Sequence, residues 1–333
     1  MNARKLLAAV VLLLVVGACS GGGTSTSGAG DPTTTAAGPA PTTTRPLAAL
    51  AWQERQPSPV VRQEVASTAF AGKVWVIGGL TGADASTRVD TYDPASDTWA
   101  SQPDLPIGLH HSAAVVYRGE LVVVGGFTAA ASLYSRPSDR VLVLRGQDWV
   151  DGPRLRRPRG AAAAAVVGDT LVVAGGRDAT DLIAPSESFD GTTWSERAAI
   201  PEPRDHLAAV ADAGAFYAVG GRFLAPARTT GAAERYDPAT DRWTVVADMP
   251  TPRGGHGLAF AGGRLVAVGG EDATRVFGEA EAFDPAAGTW STLPPLDVPR
   301  HGLAVASVGP VVLALVGGTE SGVAPSAVAE ALS

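Results

Sequence analysis

Five arginines of this 333-residue chain recur at one place in a repeating pattern. Arg62, Arg159, Arg204 and Arg253 stand at one fixed distance before the Gly-Gly pairs 78–79, 175–176, 220–221 and 269–270, and Arg300 stands one position farther from the pair 317–318. All five histidines, His110, His111, His206, His256 and His301, fall in the same stretches. Planar guanidinium forks beside imidazoles suit a carboxylate, an acidic or sulfated sugar, or an acidic peptide. The arginines have a second reading as internal partners of Asp90, Glu187, Glu234, Glu281 and Glu330, which recur later in each unit. The histidines precede the pairs at unequal offsets, too irregular for all five to point one way from a pleated strand. A triad drawn from different blades could hold a metal, but no cysteine and no matched spacing supports one, and neither a metal nor a cofactor is expected. The chain also has no Gly-x-Ser-x-Gly elbow, no phosphate-cradling loop and no carboxylate pair at a usable spacing.

The elements that must position these residues are short strands. The 40 Gly and 25 Pro make up about a fifth of the chain, and no stretch after residue 18 runs far without a breaker or a Val-rich alternation. Gly-Gly pairs end β-type runs at 78–79, 125–126, 175–176, 220–221, 269–270 and 317–318, a nearly constant period. Tryptophans trail the first five pairs at 99, 149, 194, 243 and 290. Between pair and Trp lie Tyr92-Asp93-Pro94, Phe189-Asp190-Gly191, Tyr236-Asp237-Pro238 and Phe283-Asp284-Pro285, an aromatic followed by a tight turn. Runs such as Ala161–Val167 supply small residues for strands crowded round an axis.

This pattern, over about residues 50–333, resembles the kelch repeat, whose unit is one four-stranded blade of a β-propeller. The resemblance implies an all-β, six-bladed propeller in one domain, 49–333. The sixth unit ends after its third strand and lacks a Trp, while Trp52 precedes the first unit unclaimed. The N-terminal strand around Trp52 is therefore expected to complete the last blade and to remove both open edges. Antiparallel order places the starts of the innermost strands and the long loops after each Gly pair on one rim, where binding usually sits. The residues expected to bind there are Arg62, Arg159, Arg204, Arg253, Arg300, His110, His206, His256 and His301. In blade two, Ile107-Gly108 interrupts the arginine series.

The chain opens with Arg4-Lys5 and an apolar run, Leu6 to Val16, too short to span a bilayer core. Val16-Gly17-Ala18-Cys19 resembles the lipobox of bacterial lipoproteins, which implies a signal peptide over 1–18 and lipid on Cys19, the chain's one cysteine. Residues 19–48, rich in Thr, Pro and Gly, read as a disordered tether. Galactose oxidase shares the kelch propeller, but its copper chemistry needs a tyrosine cross-linked to cysteine, which Cys19 does not supply. A net charge of −7 and the lack of a basic run exclude nucleic acid as a partner. The expected protein is a lipid-anchored, extracytoplasmic binding module for a protein or an acidic glycan, held at the membrane by its lipid and non-enzymatic. Two alternatives stand beside it: an enzyme like the sialic-acid mutarotases among bacterial six-bladed kelch proteins, and a structural envelope scaffold.

Overall fold

A computed structural model describes residues 50–128, 134–212 and 214–333. The signal peptide, Cys19 and the tether to residue 48 lie outside the described residues. Blade one comprises β2 (Ala66–Phe70), β3 (Lys73–Ile77), β4 (Val89–Asp93) and β5 (Thr98–Gln102), preceded in the chain by β1 (Trp52–Glu54). Blade two is β6 (Ala113–Tyr117), β7 (Glu120–Val124), β8 (Val141–Arg145) and β9 (Asp148–Asp151). Blade three is β10 (Ala163–Val167), β11 (Thr170–Ala174), β12 (Pro185–Phe189) and β13 (Trp194–Ala199). Blade four is β14 (Ala208–Ala211), β15 (Phe216–Val219), β16 (Ala233–Asp237) and β17 (Arg242–Val245). Blade five is β18 (Gly257–Ala261), β19 (Arg264–Val268), β20 (Ala280–Asp284) and β21 (Thr289–Leu293). The last blade holds β22 (Ala304–Val308), β23 (Val311–Gly318) and β24 (Pro325–Leu332), and β1 is its fourth, outermost strand. Each blade is an antiparallel meander, and the six make an all-β propeller.

Three hydrogen-bonded belts join the blades. The innermost belt runs through a residue just before each first strand. Glu64 N–H donates to Gly302 O, His111 to Glu64, Ala161 to His111, His206 to Ala161, Gly255 to His206 and Gly302 to Gly255, at 2.6–2.9 Å. The circle closes on itself. All six residues hold φ between 51° and 64°, the left-handed region. A second belt uses the Gly pairs: the N–H of Gly79, Gly126, Gly176, Gly221, Gly270 and Gly317 each donates to a carbonyl of the next blade, at 2.8–2.9 Å. Glycine is required there because a Cβ on Gly79 would stand 2.6 Å from the Gln63 carbonyl oxygen.

The second belt corrects one register in the sequence reading. In blade six the residues in the pair's conformation are Val316 (φ 53°) and Gly317, so 317–318 lies one position late. Measured from Val316, Arg300 keeps the same spacing as its four counterparts.

The outer belt is built from tryptophan. The indole N–H groups of Trp99, Trp149, Trp194, Trp243 and Trp290 each donate to a carbonyl at the end of the preceding blade, and Trp52 does the same to Pro294 O at 2.8 Å. Their rings pack into the apolar layers between blades, Trp52 among Val268, Leu293, Leu296 and Leu332. The pairing Trp52↔Leu332, Gln53↔Ala331 and Glu54↔Glu330 ties the two ends of the domain together.

Deleting residues 50–56 would expose β24 as an edge and empty the Trp52 site between blades five and six. Loss of a buried aromatic alone costs about 3–5 kcal/mol, so one cooperative melt of the whole domain should shift down by roughly 10 °C or more in calorimetry. An unchanged melting temperature would contradict closure by β1.

Candidate functional site

The five arginines expected at a funnel mouth lie inside the blades instead. Arg62, Arg159, Arg204, Arg253 and Arg300 are fully buried. Each reaches its acid on the third strand: Arg62–Asp90 and Arg159–Glu187 at 2.7 Å, Arg204–Glu234 and Arg253–Glu281 at 2.6 Å, and Arg300–Glu330. Each also donates to carbonyls where the second and third strands diverge, among them Gly220 O and Gly269 O at 2.6 Å and Val316 O at 2.8 Å. Burial lowers Arg62 and Arg300 to about 10, and the carboxylates oppose that shift. With every guanidinium closed off from solvent, none is placed to meet a ligand. Blade two shows what the pair does for the fold. Leu109 takes the arginine's place and Leu142 the acid's, both fully buried in one apolar layer.

The cavity at the axis is built from three other positions of each blade. The belt position carries Glu64, His111 and His206, with Ala161, Gly255 and Gly302 in the remaining blades. The residue before it is bridged to the residue after the Gly pair, which brings Asp205 beside Arg222, Gly254 beside Glu271 and His301 beside Gly318. The large side chains converge at the rim where the innermost strands begin.

Arg222 is the hub. Its Nη1 donates to Glu271 Oε1 at 2.8 Å, its Nη2 to the Tyr134 hydroxyl at 3.0 Å and to His206 Nε2 at 2.7 Å, and its Nε to Asp205 Oδ1 at 3.3 Å. His206 Nδ1 lies 2.6 Å from the same Asp205 oxygen, which holds the Nδ1–H tautomer. Glu64 sits between two imidazoles, Oε2 at 3.1 Å from His111 Nε2 and Oε1 at 3.2 Å from His301 Nδ1. His111 Nδ1 contacts His110 Nδ1 at 2.6 Å, and His110 stacks on Phe127. Burial pushes His110 down to about 4 and His111 well below its usual value. His301 moves the other way: burial works against its charge, but the Glu64 and Glu271 carboxylates outweigh it and raise the ring. Burial likewise opposes the Glu64 carboxylate, yet the imidazoles around it hold it well below the usual range.

Two cavities meet here. The mouth, about 180 Å³, has Glu64, His111, Arg222, Glu271 and His301 in its wall and Leu224 and Val323 at its lip. Behind it a floor cavity of about 100 Å³ is lined by the belt residues and His256. Of the histidines expected to bind, His206 and His301 reach the cluster and His110 supports it from behind. His256 is buried in the floor, and neither ring nitrogen has a hydrogen-bond partner among the described residues. Glu64, His111, Asp205, Arg222, Glu271 and Tyr134 were not among the residues expected to bind. A signal for Glu64 and His111 was present: with His206, they share one offset before the first Gly of their pair.

Residues 147–318, just over half of the chain, match the family model described as the KLHDC2/KLHL20/DRC7 Kelch-repeats domain, and residues 62–106 match the Kelch motif. The Kelch-like protein terF of Aspergillus terreus is 27% identical over 237 residues, 66% of this chain and 52% of that protein. The human Kelch repeat and BTB domain-containing protein 13 is 38% identical over 109 residues, 31% of this chain and 23% of that protein. The chain thus spans about half the length, or less, of these curated relatives. The solved structure of YjhT superposes with a TM-score of 0.71 over 83% of this chain and 96% of that one, at 16% identity, a likeness of fold.

The arginine–acid pairs generate a direct test. Removing one partner of a buried pair leaves an uncompensated charge and costs about 3–5 kcal/mol, whereas an apolar pair of similar volume is often neutral. Arg159→Ala should therefore lower the urea midpoint strongly, and Arg159→Leu with Glu187→Leu, copying Leu109 and Leu142, should recover most of the loss. A double variant no more stable than the single one would show that blade three depends on the charges themselves.

Proposed function

The chain belongs to the kelch-repeat family, and from that premise we propose that it is a lipid-tethered, extracytoplasmic binding module whose axial pocket takes a polar group presented by a partner protein. The observation that supports this reading is the amphipathic mouth. Its wall carries Glu64, Arg222, Glu271 and His301, and its lip carries Leu224 and Val323, two of the few large apolar side chains exposed on the domain. Leu224 holds φ 66°, a left-handed conformation that a leucine adopts only under constraint. Such a mouth suits a ligand with an apolar shoulder and a hydrogen-bonding tip.

Charge narrows the chemistry. Three carboxylates, Glu64, Asp205 and Glu271, face Arg222 and His301, and the guanidinium is already engaged by Asp205 and Glu271. An acidic glycan would meet Glu64 and Glu271 at short range, so the pocket is matched to a neutral or cationic group. The enzymatic reading has one observation in its favour: Glu64 lies 3.1–3.2 Å from ring nitrogens of His111 and His301, which groups a carboxylate with imidazoles as acid–base chemistry requires. The membrane tether rests on the lipobox at Cys19.

Leu224→Asn with Val323→Ser should weaken capture of the extracytoplasmic partner at least tenfold in cell-surface crosslinking, with the melting temperature unchanged, since Asn tolerates the left-handed backbone. Equal capture would remove the mouth from the binding surface. Cys19→Ala should shift the protein from the membrane fraction to the soluble fraction, and continued retention would count against the tether. For the enzyme, NMR exchange between N-acetylneuraminate anomers should show no acceleration by the protein; acceleration lost in Glu64→Gln would establish catalysis in place of plain binding.

A further inference from the structure

We propose that Glu64, His111 and His206 hold a divalent first-row transition cation on the propeller axis, through one carboxylate oxygen and two imidazole Nε2 atoms, with its open positions toward the mouth. The inference deepens the axial-pocket reading and rests on it only for what occupies those open positions.

The first support is placement. The three residues occupy the same belt position in blades one, two and four, and each offers a ligand atom within 4.8 Å of the other two. Tetrahedral coordination at nitrogen distances of about 2.0–2.1 Å needs donors roughly 3.4 Å apart, so small side-chain rotations complete the set. Ala161, Gly255 and Gly302 fill the remaining belt positions and leave the axis open beside the three donors.

The second support is the state of the donors. His206 is oriented by Asp205, the carboxylate–histidine arrangement that commonly stands behind a metal ligand. His111 is fixed through Nδ1 by His110, which leaves its Nε2 facing Glu64 Oε2 at 3.1 Å. Among the described residues that nitrogen has no hydrogen-bond partner, although the side chain is only 3% exposed. A proton on Nε2 would not point at the Glu64 oxygen, and a bare nitrogen would set two acceptors against each other. A cation between them satisfies both.

The third support is strain. Glu64, His111 and His206 hold φ of 54°, 52° and 54°, a left-handed conformation that glycine adopts more readily than any residue with a side chain. Gly255 and Gly302 show that glycine satisfies the same belt geometry. Three strained side chains with ligating atoms on one axis are thus not demanded by the backbone. One group competes for the site: Arg222 Nη2 donates to His206 Nε2 at 2.7 Å. Its bonds to Glu271, Tyr134 and Asp205 are enough to hold the guanidinium once that contact is exchanged for the metal. Two imidazoles with one carboxylate select Zn²⁺ and its first-row neighbours over Mg²⁺ and Ca²⁺, which favour all-oxygen shells.

The test is titration of the untagged full chain, stripped with chelator, using Zn²⁺ in calorimetry and Co²⁺ in visible absorption, with no partner present. One saturable equivalent is expected, with a Co²⁺ ligand-field band and a rise in melting temperature on Zn²⁺ addition, and no displacement by equimolar Mg²⁺ or Ca²⁺. His111→Gly and His206→Gly should fold, because glycine is native at this position in two blades, and each should weaken binding at least tenfold, as should Glu64→Gln. Asp205→Asn, which acts through His206, should weaken it about 10–100-fold. Absence of saturable binding by the natural chain, or binding that the three ligand substitutions leave unchanged, would overturn the proposal. Either result is read without the partner, so failure of the cation site and failure of the binding-module reading remain separate.

Discussion

The circle of backbone hydrogen bonds from Glu64 through His111, Ala161, His206, Gly255 and Gly302 is the constraint on which the propeller depends. A buried amide that lost its acceptor here would carry a desolvation penalty of about 1–3 kcal/mol, so each blade must present the same N–H and the same carbonyl at the same radius. That demand fixes the left-handed conformation at six places and, with it, the path of the chain into each innermost strand. The Gly-pair belt repeats the demand with the next blade's carbonyls, and the tryptophan belt repeats it at the outer wall. Closure follows from the same requirement. With Trp52 in place, each of the six tryptophans of the outer belt reaches the carbonyl at the end of the blade before its own.

A symmetric scaffold makes departures from the repeat informative. The arginine–acid pair occurs in five blades because it solves a problem every blade has, the carbonyls left open where the second and third strands part. Blade two solves the packing part of that problem with Leu109 and Leu142. The axial residues behave in the opposite way. Glu, His and His occupy three belt positions and small residues the other three, and Arg222 and Glu271 have Leu80, Phe127, Arg177 and Gly318 as counterparts. No backbone requirement produces that assortment, since Gly255 and Gly302 satisfy the same belt geometry without a side chain.

The architecture is legible in the sequence because the belts impose a period. The Gly pairs report the close approach of neighbouring blades, the trailing tryptophans report the outer wall, and the unclaimed Trp52 announces the closing strand. The site is less legible for a physical reason. Recurrence of arginine suggests a rim, yet burial depends on where the guanidinium reaches, and the matching recurrence of Asp90, Glu187, Glu234, Glu281 and Glu330 marks the partner. The sixth register slips because Val316 holds a backbone conformation that β-branched residues disfavour, and Gly317-Gly318 imitates the pair one step later. Glu64 escapes notice while the histidines are compared only with one another. Aligned on the pairs without regard to residue type, Glu64, His111 and His206 share one offset.

The axial cluster also shows why so polar a group of side chains can stand in the middle of a β-protein. Arg222 is held by two carboxylates and a phenol, and Glu64 lies between two imidazoles, so the charges are distributed as a connected network. The buried Arg222 guanidinium is stable there only while its N–H groups keep acceptors. Whatever enters the mouth must therefore replace the contacts it displaces with equivalent ones, and an apolar tip would leave Arg222 or Glu271 short of a partner. In the proposed reading, selectivity for a hydrogen-bonding or ligating group would follow from the desolvation of the pocket itself, with the exposed Leu224 and Val323 supplying the apolar contact that such a group lacks.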